Sequence, residues 1–280
     1  MNDSVALVRC PDYAPGQVLK AVRRAVDLLG GMDRYVKPGQ KVLVKPNLLL
    51  PSNPDRAIIT HPAVVRSVVI LAQEAGGEVV IADNPVVPPA VRPGWRAAYE
   101  RTGWASVAAE TGAELNMRIT PQQVAHPTGV LLKRLDTSSF VSEADVIISV
   151  PKLKTHGFMR FTGAVKNLFG TVPGTTKFGY HVKLQDADQF AEMLLDLVGF
   201  VQPALTIMDA VVGMDGDGPS AGDPFPIGAI LAGSDPVALD VAALDLVGQE
   251  PVSVPTVAAA VQRGWSTGRA GDIRVLGEEL

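Results

Sequence analysis

One transition repeats along this chain: a short aliphatic run, rich in valine and isoleucine, breaks off into lysine, aspartate or asparagine. Val42-Leu43-Val44 gives way to Lys45-Pro46-Asn47, and Val79-Val80-Ile81-Ala82 to Asp83-Asn84-Pro85. Val146–Val150 runs into Pro151-Lys152-Leu153-Lys154-Thr155-His156, and Leu205–Met208 into Asp209 and the loop Gly213-Met214-Asp215-Gly216-Asp217-Gly218-Pro219. Apolar runs without polar alternation mark strands covered on both faces. The stretches between them carry helical spacing, as in Val18, Ala21, Val22, Ala25, Val26 and Leu29.

The pattern predicts strands over Val5–Arg9, Lys41–Val44, Glu78–Ile81, Asp145–Val150, Ala204–Met208 and Ile227–Ala232, with short ones at Glu114–Asn116 and Val130–Leu135. Helices are predicted over Gln17–Leu29, Pro62–Ala75, Trp95–Gly112 with a break at Gly103, Asp186–Val198, Pro236–Leu246 and Val254–Arg263. Such alternation implies an α/β fold: a mainly parallel, Rossmann-like sheet with helices on both faces. The length of 280 residues suits a single domain over residues 1–280, or two lobes sharing one cleft. The glycine-rich segments Phe169–Gly179 and Gly213–Gly222 read as functional loops.

Composition narrows the function classes. With 25 Lys+Arg against 29 Asp+Glu, the net charge of −4 gives no global positive field for nucleic acid. No apolar run is long enough to span a membrane, and Met1-Asn2-Asp3-Ser4 lacks the basic start of a secretory signal. Cys10 is the single cysteine, which excludes an internal disulfide and a cysteine-ligated cluster within the chain. The expected setting is the cytoplasm.

In open parallel sheets ligands bind beyond the carboxyl ends of the strands, so the residues that end each run are the candidate site. Residues 152, 154 and 156 of an extended segment point to one side, so Lys152, Lys154 and His156 converge into an anion site. Catalytic roles are expected for His156, Lys152, Lys166 and Asp83, and ligand-binding roles for Lys45, Asn47, Lys154, Thr155, Asn167, Gly170 and Gly174. The glycine-rich run Pro173-Gly174-Thr175-Thr176-Lys177 is a candidate phosphate nest that lacks P-loop spacing. A divalent metal is a further candidate, on His61, His181, Asp209 and Asp217 brought together by folding. His156 on a loop is expected to be replaceable by alanine without loss of stability.

At these residues the chain resembles the bacterial and archaeal family called domain of unknown function 362. The resemblance rests on Val44-Lys45-Pro46-Asn47, Thr60-His61-Pro62, Ala82-Asp83-Asn84-Pro85, Pro151-Lys152-Leu153-Lys154-Thr155-His156, Gly163-Ala164-Val165-Lys166-Asn167-Leu168-Phe169-Gly170, His181, Asp209 with Gly213–Pro219, and Ser234-Asp235-Pro236 with Asp240. Many members carry a ferredoxin-like module with two four-cysteine clusters. With one cysteine, this chain departs from that pattern, so no iron–sulfur cluster is implied here.

Three functions fit. The first is an enzyme that uses the lysines to hold a carboxylate or phosphate and performs non-redox isomerase, racemase or lyase chemistry. The second is the substrate- or cofactor-binding component of a redox system whose cluster sits on a separate ferredoxin-type partner. The third is a non-catalytic metal- or cofactor-binding maturation protein. The expected partner is an anionic small molecule, with no nucleic acid or membrane, and a homodimer is a further expectation.

Overall fold

The aliphatic runs pair side by side into one sheet. The computed structural model describes residues 4–84 and 94–278. In chain order the first elements are β1 (Ser4–Arg9), α1 (Pro15–Leu28), β2 (Lys41–Pro46), α2 (Pro62–Glu74), β3 (Glu78–Ile81), α3 (Gly94–Arg101), α4 (Trp104–Thr111) and β4 (Glu114–Leu115). Then come β5 (Pro121–Ala125), β6 (Arg134–Ser138), α5 (Ser139–Ser142), β7 (Val146–Val150), β8 (Lys152–His156), β9 (Arg160–Thr162), α6 (Ala164–Asn167) and α7 (Gly174–Lys183). The last are α8 (Ala187–Val201), β10 (Leu205–Asp215), β11 (Asp223–Gly233), α9 (Pro236–Leu246), α10 (Pro255–Gln262) and β12 (Arg274–Gly277).

The main sheet has the order β12-β1-β11-β10-β7-β2-β3-β4, with β8 and β9 attached at β10. Every pairing from β10 through β7, β2 and β3 to β4 is parallel, while β11 and β9 run against their neighbours. Helices cover both faces, and strand alternation shows why. Val42 and Val44 of β2 join the core under α1 and α2, whereas Leu43 joins the core under α8. On β11, Ile230 and Ala232 face the first core while Ala229 and Leu231 pack against α9.

Several local expectations change. The segment Phe169–Gly179, read as a loop, is a 3-10 turn over Leu168–Thr171 followed by α7. The expected strand at Val130–Leu135 lies instead at Arg134–Ser138, and the loop Gly213–Gly222 is the closed end of a long β10–β11 hairpin. β2 extends through Lys45 and Pro46, so Lys45 is a strand residue inside the protein. Pro85 lies outside the described residues. Among the described residues no helix is long and apolar enough to cross a membrane.

Candidate functional site

A cavity of about 240 Å3 opens at the carboxyl ends of β2, β3 and β8. Asn47 and Leu48 follow β2, Asp83 follows β3, and Lys154 and His156 come from β8. Thr162 on β9, Lys166 and Asn167 on α6, Phe169 and Gly170 in the turn, and Lys177, Phe178 and His181 on α7 complete it.

Pro151 explains how one edge carries so many polar groups. β10 pairs with β7 up to Thr206 and Ser149, then with β8 from Asp209 and Lys152, so the chain crosses straight from a buried strand into a second one rich in lysine. α6 is seated by Asp240, whose oxygens accept from Ala164 N at 2.6 Å and Val165 N at 3.0 Å. Gly163 permits that approach, since a Cβ there would overlap the Asp240 carboxylate.

At the floor, Lys45 Nζ lies 3.1 Å from Asp83 Oδ1, and both side chains are buried. Asp83 also accepts from Leu48 N at 2.6 Å and Asn84 N at 2.8 Å. Burial pulls Lys45 below its usual range while the Asp83 charge opposes it. Asn167 joins them: its Oδ1 accepts from Lys45 Nζ and Asn47 Nδ2, and its Nδ2 donates to Ser149 Oγ at 2.9 Å.

Three more amines surround the cavity, and none has a carboxylate partner among the described residues. Lys154 Nζ donates to Ile58 O at 2.7 Å and Pro219 O at 3.4 Å. Lys177 Nζ donates to Asn84 O. Lys166 Nζ sits 5.9 Å from the Phe169 ring centroid and has no hydrogen bond among the described residues. Burial first, then Lys166 and Lys152, hold Lys154 far below the usual lysine range. Burial and then Lys177 bring Lys166 to about 8, and burial brings Lys177 to about 8 as well. Thr162 Oγ1 and Asn47 Oδ1 on the wall have no hydrogen-bond partner among the described residues.

His156 ends β8, and its Nδ1 accepts from Phe158 N and Met159 N, both at 3.1 Å. That fixes the neutral ring with its proton on Nε2. Burial, then Lys166 and Lys154, push it down to about 3. At the mouth, His181 stacks on Phe190 with ring centroids 4.8 Å apart.

Lys152 does not line this cavity, contrary to the alternation argument. It forms a separate buried cluster: Nζ lies 2.9 Å from Asp209 Oδ2 and 2.6 Å from the Tyr13 hydroxyl. Tyr13 donates to Asp209 Oδ1 at 2.8 Å, His61 N donates to Asp209 Oδ2 at 2.9 Å, and the Tyr13 and His61 rings stack at 3.6 Å. The register that places Asp209 opposite Lys152 neutralises the amine. Thr155 also points elsewhere, donating to Gly216 O at 2.9 Å in the hairpin. The candidate nest Pro173–Lys177 is the N-cap and first turn of α7.

The proposed metal set does not assemble. Among the described residues no three His, Cys, Asp or Glu side chains converge. Asp209 is committed to Tyr13, Lys152 and His61 N, His61 Nδ1 accepts from Ala63 N, His181 stands in the other cluster, and Asp217 is exposed on the hairpin. Phe178 of the cavity and Tyr13 of the second cluster carry no sequence expectation, while Thr162 and Lys177 fall within segments that the sequence marks only for their glycines, cation and amide. For the α7 pair the signal was present, since Lys177, Phe178 and His181 share one helical face.

The family model for Domain of unknown function (DUF362) matches residues 42–245. The chain belongs to the DUF362 family. All of the cavity-lining residues named above fall within that span. A curated relative, the Thylakoid-associated protein sll1697 of Synechocystis sp., is 37% identical over 265 residues, covering 94% of this chain and 80% of that protein. Among solved structures, the lactate racemase apoprotein from Thermoanaerobacterium thermosaccharolyticum is 14% identical with a TM-score of 0.48, covering 82% of this chain. This chain spans about 54% of that protein's length.

Proposed function

We propose that this DUF362 protein is an enzyme that binds an anionic small molecule, a carboxylate or phosphate, in the cavity between β8, α6 and α7. The observation that carries the reading is the charge balance. Among the described residues, Lys154, Lys166 and Lys177 surround the cavity with no carboxylate of their own, and the one carboxylate on its wall, Asp83, is committed to Lys45. Clustered cations in a low-dielectric cleft focus negative ligands. Apolar Leu48, Phe169 and Phe178 would cover the rest of the ligand and exclude water. The reaction class we favour is isomerase, racemase or lyase chemistry. Lys166 at about 8 is suited to exchanging a proton near neutral pH, and His156 offers a fixed Nε2–H donor.

Two measurements test this. Inorganic phosphate should raise the melting temperature of the wild-type protein and do so far less for Lys154→Ala. Proton NMR in deuterated buffer, with a panel of small hydroxy, amino and keto acids, should show enzyme-dependent exchange of an α-proton for deuterium. Equal phosphate shifts in both proteins would remove the anion site, and a flat panel with intact phosphate binding would leave a binding protein in place of an enzyme.

A further inference from the structure

The amines of this cavity are not equivalent. Lys45 is paired with Asp83, Lys154 is tied to two backbone carbonyls and Lys177 to a third. Those contacts fix the three nitrogens in place, although burial and then Lys166 and Lys152 still hold Lys154 furthest below the usual lysine range. Of these four amines, Lys166 alone has neither an ion pair nor a hydrogen bond among the described residues, and it lines the cavity. Lys166 is half-buried with its Nζ 5.9 Å from the Phe169 ring centroid, and loss of water followed by the nearby Lys177 amine brings it down to about 8. A lysine nitrogen with no partner of its own, beside amines already held in place, is the arrangement an imine-forming lysine requires.

We propose that Lys166 is a covalent nucleophile whose amine condenses with the carbonyl of a small anionic keto or aldehyde compound. This rests on the reading of the cavity as an anion site. Lys154 and Lys177 hold the ligand's carboxylate or phosphate. The neutral Nζ lone pair of Lys166 adds to the carbonyl carbon, and the displaced π pair goes to oxygen, which takes up a proton to give a carbinolamine. The carbinolamine loses its hydroxyl as water. Overall, one amine, one carbonyl and one proton give one protonated imine and one water. Thr162 Oγ1, buried with no partner among the described residues, and the Nε2–H of His156 are the polar groups available to the departing oxygen. The protonated imine withdraws electrons from the neighbouring carbon, which is the activation that α-proton exchange needs.

The test uses pyruvate as probe with cyanoborohydride, whose hydride reduces the protonated imine to a stable secondary amine. Peptide mass spectrometry should find one dominant adduct, on Lys166, and none at that site in Lys166→Arg or Lys166→Met. Excess inorganic phosphate should suppress it. Adduct spread evenly over surface lysines such as Lys20, Lys37 and Lys183, or centred on Lys177, would overturn the assignment. The phosphate-induced melting shift is measured on the same samples. A shift without any trapped adduct overturns the imine and leaves the anion site standing, and neither shift nor adduct overturns both.

Discussion

Gly170 lies directly on the Asp83 carboxylate. A Cβ at Gly170 would overlap Asp83 Oδ1 and Lys45 Nζ and come within 2.8 Å of Lys45 Cε. The close passage of this turn over the ion pair is therefore what closes the floor of the cavity, and it explains a glycine at this position on packing grounds.

Gly170→Ala should force the pair apart or lift the turn. Overpacking of a filled site costs roughly 1–3 kcal/mol. Urea denaturation should show a lower midpoint for Gly170→Ala, and phosphate binding should weaken because Phe169 and Lys177 move with the turn. An alanine variant as stable as wild type would show that the floor yields freely.

The Lys45–Asp83 pair gives a sharper comparison. Removing one partner leaves a buried charge, at a cost of roughly 3–5 kcal/mol, whereas removing both is often close to neutral. Lys45→Met should thus be much less stable than wild type, and Lys45→Met with Asp83→Leu should recover part of that loss. The Leu48 and Asn84 N–H groups that Asp83 now accepts from limit the recovery. A double variant less stable than the sum of the singles would refute this account.

Tyr13→Phe separates the second cluster from the cavity. The Tyr13 hydroxyl accepts from Lys152 Nζ and from Val212 N and donates to Asp209, so deleting it strands buried donors. The expected loss is about 1–3 kcal/mol of stability. Phosphate binding should be unchanged, because neither Tyr13 nor Lys152 lines the cavity. A variant that binds phosphate poorly would join the two clusters into one site.

Much of this was legible in the aliphatic runs. Asn47 and Asp83 announce themselves because they follow uninterrupted aliphatic runs of strands buried on both faces. The fate of each lysine after the run was not legible. Lys152 and Lys154 share the same spacing, but register places Asp209 opposite the first and a backbone carbonyl beside the second, and register with a strand more than fifty residues away is not written locally. α7 was hidden for a different reason: two glycines and a preceding proline in Pro173–Gly179 read as a loop, and tertiary packing against the turn overrides that weak helix propensity.

His156 shows a correction that bears on pH. It is the last residue of β8, and its Nδ1 holds the turn through Phe158 N and Met159 N. Replacement by alanine is therefore expected to lose about 1–3 kcal/mol, against the sequence expectation of none. The ring's ordinary value of 6.5 falls to about 3 in the folded protein, and His61 falls to about 4, in both cases chiefly through burial. Between pH 6.5 and 5 the unfolded chain takes up these protons and the folded protein does not. Stability rises with pH wherever the unfolded state binds more protons, so it must fall as pH drops through this window, by up to about 1.4 kcal/mol per pH unit for each histidine. Above pH 6.5 both states hold neutral rings and the contribution is flat. Urea midpoints measured from pH 7.5 to 5 should follow this curve. His156→Gln should start lower at pH 7.5 and decline less steeply below 6.5, because one of the protons that drives unfolding is gone. Parallel curves for wild type and His156→Gln would mean that the imidazole titrates in the folded protein as it does in water, and the packed, neutral ring described above would be wrong.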